Sequence, residues 1–586
     1  MKYTLIANTG LQFTTTYLDI NIEEPLILKD GKPLEYTFIE AVDFLNDCRT
    51  KVDVCAQKDG YYVPVNTLQD NGLLDVTADE SGVPKMIDDF VLALVENYAS
   101  DSHELMNVNS LSSFKVEQGT DTKTGFELLL GKWLPMPMYE NEIYGLCNFP
   151  NGWCRVRIDA VGRKHQDGSR RYRLTWAFDT QCMDEFDMTM LRPSFPEGSP
   201  ECKQFQLCSR ADLLLGNFLT IPDSVNDAPV SDYLLALFGI DLDKIEVHKY
   251  KFMAYYIYLI NYLRLSGASP DVNLYNKQDR QIPVDMSFDI GDTHAFAVLY
   301  EKGGSFCRPQ MLKLRNMGEP WKCYQNSIDM TIAFRRVDVG GDISQDKMLF
   351  MYPSFVRVGE EAKYLVKRLL AEKSRESKQA FYFSQPQRFL WDTDKYELGW
   401  ENIVLEDDAT TLRIDPKIYI ETFSDHFASD GSFLENVDYC DTFFDDDRVP
   451  RYSRSSLMTF AMIEILQQAV VYINSDKFRY SNGDIDCRRY LRSINITCRA
   501  ALNAQEQQLL KKSVADAINV LNKITRLMVR VPEILFTDLS MFESLSDEQF
   551  AKRRYEEASG IRKVYNLSED EVDNRIVDVL TKFGLI

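Results

Sequence analysis

Asp289, Gly291, Asp292 and Thr293 fall within one pentapeptide, Asp-Ile-Gly-Asp-Thr, set in the run IPVDMSFDIGDTHAFAVLYEK from Ile282 to Lys302. Such a turn can hold a phosphate. Its backbone N–H groups and the Thr293 hydroxyl are donors for an anion, and the Asp289 carboxylate can accept a water bound to a divalent cation. Glycine suits a backbone that bends tightly. Plain turn chemistry is the competing reading, because Asp-x-Gly is also a common way to close a hairpin.

The flanking runs must position those groups. Val284 to Phe288 alternates as a half-buried strand does, and Ala295 to Tyr300 has the small, aromatic and branched residues of a returning strand, so the expected hairpin spans 284–300. Gly359 to Ser374 predicts a helix with Glu360 and Glu361 in its first turn and Lys367 and Arg368 later, matching the helix dipole. Ser455 to Asn474 predicts an apolar helix with Leu457, Ala461, Ile465 and Ala469 on one buried face. Leu491 to Cys498 alternates as a strand, and Asn503 with Glu506 has the spacing of a capping box opening a helix to about Thr525. A C-terminal helix is expected from a similar start at Ser568 with Glu571.

Upstream, residues 1–245 read as strand-rich, with a hairpin predicted from Trp153–Val161 and Arg170–Phe178. A second hairpin is expected from Thr4–Ala7 and Leu11–Thr15 across Asn8-Thr9-Gly10. The expected boundary is the Pro- and Asp-bearing stretch between Pro222 and Asp243, which divides the chain into 1–245 and 246–586. Phe252 to Leu265 is apolar but too short to span a bilayer, and it carries Asn261 and Arg264, so a core helix is expected rather than a membrane span.

Composition narrows the classes. At 586 residues, with 45% hydrophobic and 12% aromatic residues, the chain can bury cores in two to four domains. A net charge of −23 argues against sequence-independent nucleic-acid binding and against docking on an anionic membrane, both of which need clustered cations. The 12 cysteines form no Cys-x-x-Cys pair, which favours free thiols, and the start MKYTLIANTG has no secretory signal pattern. A reducing cytoplasm is the expected compartment. His103, His165, His248, His294 and His426 make no metal-ligand spacing, and the acidic runs 406–408 and 445–447 read as solvated loops. Walker, Gly-x-Ser-x-Gly and His-Glu-x-x-His motifs are not found in the sequence.

The order of segments resembles the DnaK-type chaperone ATPases. After the Asp289–Thr293 turn come Tyr352-Pro353-Ser354-Phe355-Val356, Val358-Gly359-Glu360-Glu361-Ala362-Lys363 and the strand end Ile496-Thr497-Cys498-Arg499-Ala500-Ala501 leading into a helix. Three further strings, at Thr4–Phe13, Phe383–Asp392 and Tyr452–Ala461, look like the bacterial SrfB family of virulence factors, a resemblance that covers almost the whole chain. Together they imply an α+β and α/β architecture: a strand-rich, family-specific N-terminal region at 1–245, then the first half of an actin/DnaK-like, ribonuclease-H-like domain at 246–586 with a helical C-terminal segment. On that resemblance Asp289, Gly291, Asp292 and Thr293 would bind ATP, with Asp289 near a hydrated Mg²⁺ and Thr293 near the β- and γ-phosphates.

Departures from the resemblance fix what it implies about activity. Ala295 replaces a second hydroxyl, Asp292 brings an anion toward phosphate, and Arg499 stands where the chaperones have proline. A second Gly-rich motif is not found after Gly560, and Arg336–Asp342, similar in composition, precedes the Pro-Ser strand and reads as a turn. The expectation is a component of a bacterial multi-protein complex that is inactive as an isolated chain, with the second nucleotide half-domain on a partner protein subunit, and with catalytic residues unassigned. The alternative is a non-enzymatic scaffold in a virulence, toxin-delivery or defence assembly.

Overall fold

The computed structural model describes residues 2–22, 36–41, 51–58, 61–64, 90–97, 106–107, 129–140, 152–182, 200–208, 251–277, 280–291, 293–301, 309–325, 327–335, 337–339, 352–371, 382–394, 400–403, 411–414, 426–435, 452–498 and 503–538, with isolated positions between them. Two compact units emerge: Met1–Tyr3, Phe13–Leu274 and Val339–Phe350 form the first, while Thr4–Gln12, Tyr275–Asp338 and Met351–Ile586 form the second. The stretch expected as a boundary, 222–243, lies outside the described residues, as does the expected C-terminal helix.

The first unit carries a seven-stranded sheet in the order Lys2–Ile6, Asp271–Tyr275, Cys202–Leu207, Trp133–Glu140, Gly152–Val161, Arg170–Asp179, Leu11–Ile20. Gly152–Val161 and Arg170–Asp179 pair antiparallel, from Arg171 opposite Val161 to Ala177 opposite Arg155, as their alternation predicts. The loop between them is tied by Asp167, whose carboxylate accepts from the Ser169 hydroxyl at 2.7 Å and the Ser169 amide at 2.9 Å. Lys251–Leu265 is a helix with Tyr256, Leu259, Ile260 and Leu263 buried, as expected of a core helix.

The Thr4–Thr15 hairpin is corrected. Lys2–Ile6 and Leu11–Ile20 stand at opposite ends of the strand order and do not pair. Asn8 and Gly10 adopt positive φ of 58° and 85°, and the Thr9 hydroxyl donates to the Ile6 carbonyl at 2.7 Å. A Cβ added to Gly10 would meet Val471 at 2.9 Å and Leu527 at 3.0 Å. Packing against Val471 and Leu527 of the same unit, not ladder closure, thus explains this turn.

In the second unit, besides two short two-stranded ribbons (Leu314–Arg315 with Cys323–Tyr324, and Trp400–Ile403 with Thr411–Ile414), the strands are β1 (Gln281–Ile290), β2 (His294–Glu301), β3 (Gln310–Met311), β4 (Ile328–Asp329), β5 (Thr331–Phe334), β6 (Val356–Val358), β7 (Tyr382–Ser384), β8 (Arg488–Cys498) and β9 (Glu533–Asp538). The main sheet runs β3-β2-β1-β8-β9, with β4 added on β2, and β6-β5-β7 form a separate small sheet. β1 and β2 are antiparallel, whereas β8 lies parallel to β1 and β9 parallel to β8. Ile282, Val284, Met286, Phe288 and Ile290 turn one face of β1 into the core, which leaves Asp285, Ser287 and Asp289 on the other face.

The α-helices described in this unit are α1 (Gly359–Ala371), α2 (Ser456–Ile473), α3 (Asp476–Asn482) and α4 (Ala504–Ile524). The capping box opening α4 is formed: Asn503 Oδ1 accepts from the Gln505 and Glu506 amides at 2.9 Å, and Glu506 returns to the Asn503 amide. α4 connects parallel β8 to parallel β9, the crossover that parallel pairing requires. α2 is long and apolar enough to cross a membrane by length and composition, and it is buried in the same hydrophobic cluster as the inner face of β1 and β8.

Glu464 and Glu361 are among the carboxylates buried in this unit. Glu464, on α2 and 0% exposed, accepts from Arg357 at 2.8 Å, from the Tyr352 hydroxyl at 3.1 Å and from Gln468 at 2.6 Å. Glu361, in the first turn of α1, accepts the amides of Met317 at 2.9 Å and Gly318 at 3.0 Å. Burial pushes the Glu361 carboxyl up, against the opposing pull of Arg357. The Glu464 bonds tie β6 to α2, the Glu361 bonds tie the start of α1 to the 317–318 backbone, and together they set where α1 delivers Lys363.

Candidate phosphate-turn site

The carboxyl ends of β1 and β8 build the site. Asp289, next to last in β1, is the register partner of Thr497, next to last in β8, and the Thr497 hydroxyl donates to Asp289 Oδ1 at 2.6 Å. Their place follows from period-two alternation, because Phe288 and Ile290 are core residues and the intervening carboxylate must face outward. Open sheets with parallel strands bind ligands at this end.

The turn beyond β1 is closed by the Gly291 amide, which donates to the His294 carbonyl at 2.9 Å. A Cβ at Gly291 would approach that carbonyl oxygen to 2.8 Å. Glycine is therefore required by close approach, and not by left-handed backbone. Thr293 accepts the Met330 amide at 2.9 Å through its carbonyl, while its hydroxyl lies 2.8 Å from His294 Nδ1. Asp292 lies outside the described residues, as does Arg499. Ala295 is fully buried opposite Ile290 and Ile328, so the methyl group fills core and leaves no hydroxyl there.

A cation stands beside the turn. Asp329 pairs in register with His294, lies 3.6 Å from His294 Nε2, and accepts Lys363 Nζ at 2.7 Å. Its other oxygen takes the Thr331 hydroxyl. The bond to Asp329 raises the Lys363 ammonium above the ordinary lysine value, keeping it charged. Gly359, at φ 69°, opens α1 where an added Cβ would lie 3.8 Å from the Asp329 backbone, and Lys363 follows one helical turn later, beside Asp329.

On the remaining side, Gln387 Nε2 donates to the Gly291 carbonyl at 3.1 Å and the Gln385 amide donates to the Met330 carbonyl at 2.7 Å. Asp329, Lys363, Gln387 and Thr497 were not among the expected site residues. Lys363 and Thr497 sit within segments whose order carries the chaperone resemblance, so position in those segments was the available signal; Gln387 had only its place in Ser-Gln-Pro-Gln, and Asp329 had none.

Among the described residues no group of three His, Cys, Asp or Glu side chains could hold a metal ion directly. Mg²⁺ keeps several waters and takes one or two carboxylates, so Asp289 at the carboxyl end of β1 is a donor that would fit a hydrated Mg²⁺. Of the segment Arg336–Asp342, only Val337, Asp338 and Val339 are described, and the Val339 carbonyl accepts from Arg155 within the first unit.

A mixed α+β protein with a tight turn at a sheet's carboxyl end is the class these features define. The family described as Virulence factor SrfB matches residues 73–569, and the chain belongs to that family. No curated protein matches it.

Proposed function

We propose that the chain is a nucleotide-binding component of a multi-protein complex, with an actin/DnaK-like first half at 246–586 that holds ATP and Mg²⁺ at the β1–β2 turn. One observation carries the reading: an antiparallel meander β3-β2-β1 is extended by parallel β8 and β9, and Asp289 meets Thr497 at the carboxyl ends of the central pair. Gly291 lets the turn close, the Thr293 hydroxyl serves the phosphate, Asp289 orients waters of the metal, and Lys363 balances the anionic charge. Phosphoryl chemistry depends on positioning and charge, which these groups supply from one side only. The opposing lobe with the nucleoside pocket would come from a partner subunit, so the isolated chain binds without turnover.

Titration calorimetry of the chain with Mg²⁺·ATP, alone and with the protein partners that co-purify with it, tests this reading. Saturable binding that Asp289→Ala removes while the fold stays intact supports it. Folded protein that binds in neither setting overturns it.

A second reading has its own observation. Ala295 fills core where a second phosphate hydroxyl would stand, which suits a scaffold that keeps the fold without the ligand. An Asp289→Ala chain that assembles and functions normally would select the scaffold.

A further inference from the structure

We propose that Trp391, with Arg388 beside it, is the anchor on which a protein partner docks, and that the partner is the subunit completing the nucleotide site; the choice of that occupant rests on the nucleotide reading of the β1–β2 turn. Trp391 is 67% exposed, although Leu390 before it and Asp392 after it are only 2% and 3% exposed. Tryptophan is a highly buried residue on average, so one held in solvent between two core residues is presented by its backbone. The 3-10 turn Pro386–Phe389 leads into it, and the Asp392 amide continues that spacing by donating to the Phe389 carbonyl at 3.0 Å. Side chains three apart eclipse in such turns, so Arg388, also exposed, shares the face of Trp391. Among the described residues neither the indole nor the guanidinium takes a hydrogen bond, an ion pair or a ring contact.

The support beneath this pair is rigid. Asp392 accepts Arg454 Nε at 2.6 Å and, through its carbonyl, the Ser455 amide at 3.0 Å, which ties the turn to the start of α2. Arg454 lies over the Phe389 ring at 5.1 Å, and Phe389 meets Phe383 edge to face at 6.1 Å. An aromatic side chain on a fixed backbone has little freedom left to lose on association, and Trp and Arg are enriched among the few residues that carry an interface. The free indole calls for an apolar slot, and the free guanidinium for a carboxylate at the rim of that slot. A nucleic acid or an anionic membrane would meet the field of a chain of net charge −23, whereas a protein needs only a carboxylate placed locally. Gln387 of the same turn donates to the Gly291 carbonyl at 3.1 Å, so a protein seated on Trp391 stands next to the β1–β2 turn.

The photo-crosslinking residue p-benzoylphenylalanine, placed at position 391 of the full chain and irradiated in the chain's own cells, tests the surface. The same residue at Tyr480, 60% exposed on α3, is the control. A different polypeptide, identified by mass spectrometry, is expected at 391 and not at 480. That protein, purified, should bind Trp391→Ala at least about thirtyfold more weakly than wild type, and Arg388→Ala about fivefold to tenfold more weakly, with melting temperatures little changed. Adducts confined to lipid, nucleic acid or a second copy of the chain overturn the proposal. So do equal adducts at both positions, no adduct at 391, and a crosslinked protein that binds Trp391→Ala as it binds wild type. A complex that depends on Trp391 yet takes up no Mg²⁺·ATP overturns the nucleotide reading and keeps the docking surface. Mg²⁺·ATP uptake by a complex that Trp391→Ala leaves intact overturns the docking surface alone.

Discussion

Asp289 and Thr497, 208 positions apart in the chain, are register partners on adjacent parallel strands and share a hydrogen bond of 2.6 Å. The hydroxyl holds the carboxylate in one orientation at the sheet's carboxyl end. Thr497→Val keeps shape and removes that donor, so it should cost about 1 kcal/mol of stability and weaken Mg²⁺·ATP binding, while Thr497→Ser retains both. Denaturant midpoints together with calorimetric affinities check this; Val and Ser variants with equal affinity would show that the hydroxyl does not serve the carboxylate.

Lys363 makes a different kind of prediction because its charge is partly solvated. Its ion pair with Asp329, at 2.7 Å, lies near the surface, where such pairs contribute about 0–1 kcal/mol. Lys363→Met should therefore leave the melting temperature nearly unchanged. Affinity for Mg²⁺·ATP should fall about tenfold, equivalent to about 1.4 kcal/mol, and the salt dependence of binding should flatten. An unchanged salt dependence would remove Lys363 from the site.

The second-unit hairpin, α2 and the α4 capping box were legible in the sequence because each is local. Alternation over Gln281–Ile290, the apolar run at 456–473 and the Asn503–Glu506 spacing are read within one element. The N-terminal hairpin misled for the same reason: Asn-Thr-Gly permits a turn, but whether its arms pair is decided by where distant strands and Leu527 lie. Gly291 was found from its turn, while the reason for glycine, a carbonyl 2.8 Å from an added Cβ, exists only in the fold. Asp329 and Gln387 gave no local signal, since an aspartate in a strand end and a glutamine after proline are ordinary surface residues until the register brings them to the turn.

Inside the core the Arg357–Glu464 pair, at 2.8 Å with exposures of 1% and 0%, sets a large effect. Removing one partner strands the other charge, so Glu464→Ala should cost about 3–5 kcal/mol. Arg357→Met combined with Glu464→Leu should recover most of that loss, because a packed apolar pair replaces two desolvated charges. Chemical denaturation of the single and double variants checks the coupling; additive losses would mean that the ion pair is not what the helix and β6 share.

Glu361 gives the core a pH dependence that can be isolated. Burial raises its carboxyl above the ordinary glutamate value of about 4.3, although the amides of Met317 and Gly318 and the charge of Arg357 favour the ionised form. Between the unfolded and the raised folded value the native state binds more protons than the unfolded chain, so this group's contribution is complete below about 4.3 and declines as pH rises through the folded value. Glu361→Gln cannot ionise. It loses one acceptor at every pH, a constant offset, and it lacks the decline. Unfolding free energies of both proteins, measured in steps from about pH 4.5 to about pH 7.5, should therefore converge as pH rises, with the wild type losing the more. Other carboxyls raised in the same sense, buried Glu301 and half-buried Asp476 and Asp516, are common to both chains and cancel in the difference. Parallel curves would mean that Glu361 keeps the same proton affinity folded and unfolded, and its two amide bonds would then outweigh its burial.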